Sequence, residues 1–287
     1  MEMNQPSNAR LGVGMMLCAS LLFSTGGLLC KLIPWSPLTI NGVRSLLSLM
    51  VFAVFLTLTR HRLKWNRTVL LGAISTFAMT TLYIVANKLT TAANTIILQY
   101  TAPVWIILFM ALLFRVRPTR RDLITAAAVF AGILCFFLDS VSAGSPAGNI
   151  CAVLSGMFYG ILFLLNQFPN GDSLSSLFFG QLISAVCLSP LVVRETNFET
   201  QTLIAVVLLG VFQVGVAYIC FSIGTKHTNP LSASLINGIE PVLNPVLVAV
   251  FWGETITPLS LVGAAIVLVS VLTYNILGVR SAAQQQS

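Results

Sequence analysis

Residues 37–59 read PLTINGVRSLLSLMVFAVFLTLT, residues 60–67 read RHRLKWNR, and residues 68–88 read TVLLGAISTFAMTTLYIVANK. Two apolar runs therefore flank one short basic loop. A helix needs about 20 predominantly apolar residues to cross roughly 30 Å of hydrocarbon, and both runs reach that length. The loop carries Arg60, Arg62, Lys64 and Arg67, the clustered positive charge that keeps a loop on the cytoplasmic side. The stretch reads as a membrane hairpin.

Working outward, charge clusters and turn residues mark off further runs. The full set is 11–32, 37–59, 68–88, 91–114, 122–139, 148–168, 173–193, 202–225, 229–252 and 257–279. The expected fold is an all-α integral membrane protein of about ten transmembrane helices joined by very short loops. Composition agrees. The 287 residues are 56% hydrophobic and 8% charged, with a mean hydropathy of +0.92. A soluble domain carries about 25% charge, so this chain lacks the polar surface to cover a core in water, and lipid must act as solvent for its outer face. The run at 11–32 is too long for the apolar region of a signal peptide.

The net charge of +7 reads as orientation, not as nucleic-acid binding, because no basic stripe is interleaved with stacking aromatics. Arg10, Arg115, Arg117, Arg120, Arg121, Lys226 and Arg280 fall on the same side as the loop at 60–67, whereas Lys31, Lys88 and Arg194 fall on the other. That bias predicts a multi-pass protein of the cell (inner) membrane with both termini cytoplasmic. The six cysteines lie in apolar runs with no metal-ligand spacing, so they read as small buried hydrophobes. No metal and no cofactor is expected.

The chain also repeats itself. At an offset of 138, Gly72 meets Gly210, Lys88 meets Lys226, Pro103 meets Pro241 and Val104 meets Val242. At 136, Gly12 meets Gly148 and Phe23 meets Tyr159. The implied halves are 1–145 and 146–287, each with five spans. Five is odd, so the second half enters the membrane upside down. Such inverted repeats recur in secondary transporters, where exchanging the conformations of the two halves exchanges access between sides.

The runs Ser20-Leu-Leu-Phe-Ser-Thr-Gly-Gly-Leu-Leu-Cys-Lys31, Pro37-Leu-Thr-Ile-Asn-Gly-Val-Arg44 and Gln99-Tyr-Thr-Ala-Pro103-Val, followed by Ile239-Glu-Pro-Val242 and Phe251-Trp-Gly-Glu254 before Thr257-Pro258, resemble EamA-type members of the drug/metabolite transporter superfamily. The resemblance covers nearly the whole chain. It implies ten helices in a five-plus-five inverted repeat, a central cavity and movement of small metabolites, often outward. It departs from the family pattern after span 4, where Val116 stands in place of a common acidic residue that the second half keeps as Glu254. The family's substrates range over amino acids, nucleobases, quaternary amines and drugs, so the resemblance names none of them.

Candidate site residues are the polar groups inside the spans. A charge at the bilayer centre costs about 2.5–3.5 kcal/mol on insertion scales, so Glu240 and Arg44 should face a cavity or the bundle interior. Asn237, Glu240 and Asn244 share one face of span 9, where Pro241 and Pro245 free backbone carbonyls. Glu240 is a candidate for a proton or for the cationic group of a substrate. Arg44 shares a stripe with Asn41, and could bind a carboxylate, pair with Glu240 or snorkel to the interface. Tyr83 and Asn87 in span 3, Gln99 and Tyr100 in span 4, and Tyr159 in span 6 suit a cavity for an amphipathic or cationic metabolite. Interhelical hydrogen bonds averaging about 0.6 kcal/mol are the plainer role for any one of them.

The expected function is secondary transport of small metabolites or amphipathic drugs, outward and with a proton as candidate coupling ion. The chain has no G-x-x-x-x-G-K-[ST] loop for ATP, and no H-E-x-x-H or G-x-S-x-G motif that would point to the alternative of an intramembrane enzyme. Loops this short leave little surface for the other alternative, a receptor or scaffold. Substrate identity and oligomeric state are not written in the sequence.

Overall fold

The computed structural model describes residues 8–90, 92–137, 145–243 and 258–284. Among them the chain is helical and contains no strand. The helices are α1 (Ala9–Ser24), α2 (Gly26–Lys31), α3 (Pro37–Thr59), α4 (Arg67–Leu89), α5 (Ala92–Gln99), α6 (Ala102–Leu113), α7 (Arg120–Phe137), α8 (Pro146–Leu164), α9 (Ser173–Leu188), α10 (Thr200–Leu208), α11 (Ala217–His227), α12 (Pro230–Asn237) and α13 (Pro258–Gln284). A π-helical stretch, Leu209–Val216, joins α10 to α11. The starts follow ordinary capping chemistry. Ser36 accepts from the Thr39 amide ahead of Pro37, Asn66 caps α4, Asp172 caps α9, and Asn229 precedes Pro230.

Among the described residues, five segments are long and apolar enough to cross a membrane in one piece: Pro37–Thr59, Arg67–Ala86, Pro146–Gln167, Ser173–Arg194 and Thr200–His227. Other expected spans are interrupted. Span 1 breaks at Thr25, whose hydroxyl bonds back to the Leu22 carbonyl at 2.7 Å and so competes with the helix ladder. Span 4 breaks at residues 100–101 and span 9 at residues 238–239, after which residues 240–243 are helical again. Continuous helices were expected at 11–32 and 91–114. The rest of span 9, including Asn244, lies outside the described residues.

The side-chain distribution is inverted relative to a soluble protein. Leu58 is 79% exposed, while Ser20, Ser48, Ser155 and Asn237 are fully buried. Apolar surface faces outward, and polar groups collect between helices, as expected for a bundle solvated by lipid.

Helix pairing follows the internal repeat. α1 packs on α11 and α8 on α4; α4 packs on α9 and α3 on the π-helical stretch; α3 packs on α9, and α7 on α13. Exchanging each of the first five spans with its counterpart in the second five maps these pairings onto one another. The paired glycines sit at equivalent crossings. A Cβ on Gly12 would collide with His227 and Thr228 at the end of α11, and one on Gly148 would lie 2.9 Å from Leu89 at the end of α4. Gly72 faces Ser176 of α9, and Gly210 faces Leu47 of α3.

Interhelical contacts gather the loops at two opposite ends. At one end His61 meets Asp172 at 3.0 Å, Asn66 donates to the Asn170 carbonyl at 3.0 Å, and Asn166 donates to Thr225 at 3.2 Å. At the other, the Ser36 amide donates to Glu195 at 2.9 Å and the Trp35 indole to the Asn197 carbonyl at 2.6 Å.

Candidate functional site

The breaks in spans 4 and 9 have one cause. Pro103 and Pro241 lack an N–H and crowd the carbonyl four residues back, so each helix opens three to two residues before its proline. The breaks stand 138 residues apart, the offset already seen in the sequence, and they put Gln99 and Asn237 at equivalent positions. The freed carbonyls are used. The Gln99 carbonyl lies against Gly156 of α8, where a Cβ would approach it to 2.6 Å. The Asn237 carbonyl lies 3.0 Å from the Tyr100 hydroxyl.

Around the second break a polar cluster draws on four spans. The Tyr100 hydroxyl donates to Glu240 Oε2 at 2.7 Å. Asn237 Nδ2 reaches the Tyr159 hydroxyl at 2.8 Å, the Tyr100 hydroxyl at 3.0 Å and Glu240 Oε2 at 3.0 Å. Ser20 Oγ donates to Asn237 Oδ1 at 3.3 Å. Span 1 supplies Ser20, span 4 Tyr100, span 6 Tyr159, and span 9 both Asn237 and Glu240. The tyrosines, Ser20 and Asn237 are buried, whereas Glu240 is only half-buried. Both of these contacts go to Oε2 of its carboxyl.

The equivalent place in the first half is simpler. Gln99 Nε2 donates to Ser155 Oγ at 2.9 Å, and that hydroxyl donates to the Met79 carbonyl at 2.9 Å. No acid stands beside it, because Ala102 occupies the position that Glu240 takes in the second half.

Aromatic rings pack against one another beside the cluster. Tyr159 stacks on Phe221 with centroids 6.1 Å apart, and Phe23 meets Tyr218 edge-on at 5.3 Å. Tyr218 and Phe221 were not among the sequence candidates. Their signal was legible, since Tyr218, Phe221 and Thr225 recur at steps of three and four on span 8.

Other sequence candidates fall elsewhere. Arg44 donates through Nε and Nη2 to Asn41 Oδ1 at 3.1 and 2.9 Å. It does not pair with Glu240; among the described residues the only ion pair is His61–Asp172. The reason is position: Arg44 lies two turns below Pro37 on α3, against the π-helical stretch at Gly210, while Glu240 sits at the break in span 9. Tyr83 and Asn87 lie on the last turns of α4. On the same helix Thr76 and Thr80, which were not among those candidates, bond back to their own backbone, and Thr76 packs against Gly180. Asn166, on the same stripe as Tyr159, ties the end of α8 to Ser173 and Thr225.

Outside the spans, Asp172 is the clearest electrostatic feature. Burial pushes its carboxyl up, but hydrogen bonds from Ser175 and His61 outweigh that and hold it below the usual carboxylate range.

Comparison with known proteins agrees with the repeat and with the family resemblance. A family model described as the EamA-like transporter family matches residues 10–138 and again residues 146–276. A protein of Archaeoglobus fulgidus described as an uncharacterized transporter is 27% identical over 210 residues, 72% of this chain and 76% of its own. A solved crystal structure superposes with a TM-score of 0.79 at 21% identity, covering 94% of this chain and 98% of the other, which shows a shared fold.

Proposed function

The chain belongs to the EamA-like transporter family, a multi-pass membrane transporter of small molecules, and from that premise we propose that it is a secondary, non-ATP exporter of small metabolites or amphipathic drugs, coupled to protons through Glu240. The observation that carries this reading is the pair of helix breaks at 100–101 and 238–239, one in each half. They meet in a polar cluster to which both halves contribute. Broken helices at an interface between repeats are where transporters place substrate and coupling-ion sites.

In this reading the ten spans form an inverted repeat, with halves at 1–145 and 146–287. The exchange of helix pairings between the halves and the paired glycine crossings support it. The protein lies in the inner membrane with the basic loops and both termini in the cytoplasm, which the gathering of loops at two opposite ends supports. Outward movement is what the family resemblance implies. In this reading the substrate contacts Tyr159, Tyr100, Asn237 and Glu240, with Gln99, Asn41, Arg44, Tyr83, Asn87 and Asn244 as further candidates.

Glu240→Gln keeps the shape of the side chain and its hydrogen bonds but cannot ionise. Proteoliposomes with an imposed pH gradient test the coupling. The variant should fold and bind a neutral ligand but lose pH-driven accumulation. Accumulation equal to the parent's would make Glu240 structural. Tyr159→Ala should weaken substrate binding with the fold intact; normal rate and affinity would make the aromatic wall mere packing.

A further inference from the structure

The sequence holds six cysteines, and two of them meet. Cys18 of α1 and Cys220 of α11 bring their sulfurs to 3.7 Å. Cys18 is half-buried and Cys220 is buried. The helix crossing is tight to either side of the pair. On one side a Cβ on Gly12 would collide with His227, and one on Gly224 would lie 2.7 Å from the Met16 sulfur. On the other, Phe23 packs edge-on against Tyr218 at 5.3 Å.

The fold does not ask for sulfur here. The repeat matches this crossing with that of α8 and α4, where Leu154 and Leu82 take the places of Cys18 and Cys220. Leucines fill one crossing and thiols stand in the other.

The spacing fits a metal better than a disulfide. A disulfide needs its sulfurs about 2 Å apart, and helices already in close contact have little room to approach further. Sulfur–metal bonds of about 2.3 Å hold two tetrahedral ligands about 3.8 Å apart. The donors are soft. Two thiols face each other, and the Met16 thioether stands at Gly224, one turn further along α11. Among the described residues no group of three or more His, Cys, Asp and Glu is placed to hold a metal, so an ion that demands a full set of such ligands is not served. Sulfur donors alone select Cu(I) and ions like it.

Charge points the same way. Cys18 is eight residues from Arg10 and Cys220 six from Lys226, about 9–12 Å inside the basic ends of their spans. A bare charge at such depth is costly. On binding, one thiol loses its S–H proton to water and forms a sulfur–metal bond, and the other donates a lone pair as the thiol. One monovalent cation and one thiolate sum to zero.

We propose that Cys18 and Cys220 form a binding site for a soft monovalent cation, Cu(I) or Ag(I), which bridges span 1 to span 8. Ser20, two residues along α1, turns to Asn237 instead, so the site is separate from the cluster at Glu240. The bridge joins a helix of one family match to a helix of the other, and an occupied site ties them at this crossing.

The test uses the purified full-length protein with Cys30, Cys135, Cys151 and Cys187 replaced by Ala. Silver nitrate is added in chloride-free buffer with an excess of the monothiol 2-mercaptoethanol as competitor. Native mass spectrometry should count one silver per chain. The melting temperature should rise, because a ligand that binds only the folded state stabilises it. Adding Cys18→Ala or Cys220→Ala should remove both effects, since a single protein thiol has no advantage over the competitor; the melt of each variant without silver reports that it folds. Full silver uptake by either single variant would overturn the proposal, as would loss of silver from the paired protein to the monothiol. A disulfide would overturn it too: in protein purified without reductant, both thiols would then resist maleimide under denaturing conditions until a reductant is added.

Discussion

Asn237 and Gln99 occupy equivalent positions in the two halves, yet their removal should differ in cost. The Asn237 amide has two N–H donors and one acceptor oxygen. It therefore makes three bonds at a time, drawn from Tyr159, Tyr100, Glu240 and Ser20. Gln99 makes one to oxygen, donating to Ser155 Oγ, beside a weaker contact with Met79 Sδ at 3.7 Å. At about 0.6 kcal/mol per intramembrane hydrogen bond, the bonds alone amount to about 1.8 against about 0.6 kcal/mol. Truncating Asn237 also strands the buried Tyr159 hydroxyl, adding about 1 kcal/mol. The expected loss is about 3 kcal/mol for Asn237→Ala and about 1 kcal/mol for Gln99→Ala. At about 2 °C per kcal/mol for a chain of this size, the melting temperature should fall by about 6 °C and about 2 °C. Intrinsic tryptophan fluorescence during heating in detergent reads both values on the same preparation. Equal losses, or a larger loss for Gln99→Ala, would refute Asn237 as the hub of the cluster.

Gly156→Ala puts a Cβ 2.6 Å from the Gln99 carbonyl and should cost about 1–3 kcal/mol, measured by the same melt; an unchanged melting temperature would show that α8 can move away from span 4. Asp172 has a folded pKa below its ordinary value, so it stabilises the fold at neutral pH, and that contribution is lost as pH falls through about 4 toward the folded value. Asp172→Asn should accordingly lower the melting temperature at pH 7 by an amount that shrinks as pH falls below about 4, whereas a deficit that does not change with pH would place the effect in helix capping instead of charge. On a cysteine-free background, a membrane-impermeant maleimide applied to intact cells should label a cysteine at Thr196 and spare one at Lys64; strong labelling at Lys64 would reverse the orientation.

The sequence by itself determined the class of protein, the approximate limits of the helices and the register of the repeat. Those properties are written in local terms: an apolar run of sufficient length can only be a helix in lipid, and a proline breaks a helix wherever it sits. Pro103 and Pro241 carried the 138-residue register, and the tertiary structure opened both helices in that register. The break at Thr25 was less legible, because a threonine hydroxyl competes with a helix only where packing allows the chain to bend. Which polar residues meet was decided by the tertiary structure alone. Spacing along one helix placed Tyr159 and Asn166 on a common stripe, yet Tyr159 joins the cluster while Asn166 ties helix ends together. Tyr100 reaches Glu240 across 140 positions of chain, and Arg44 stays with Asn41 instead of crossing to that carboxyl. A stripe of polar side chains records which way one helix faces. The depth and angle at which two helices cross depend on every side chain between them, and that information is shared across the whole bundle.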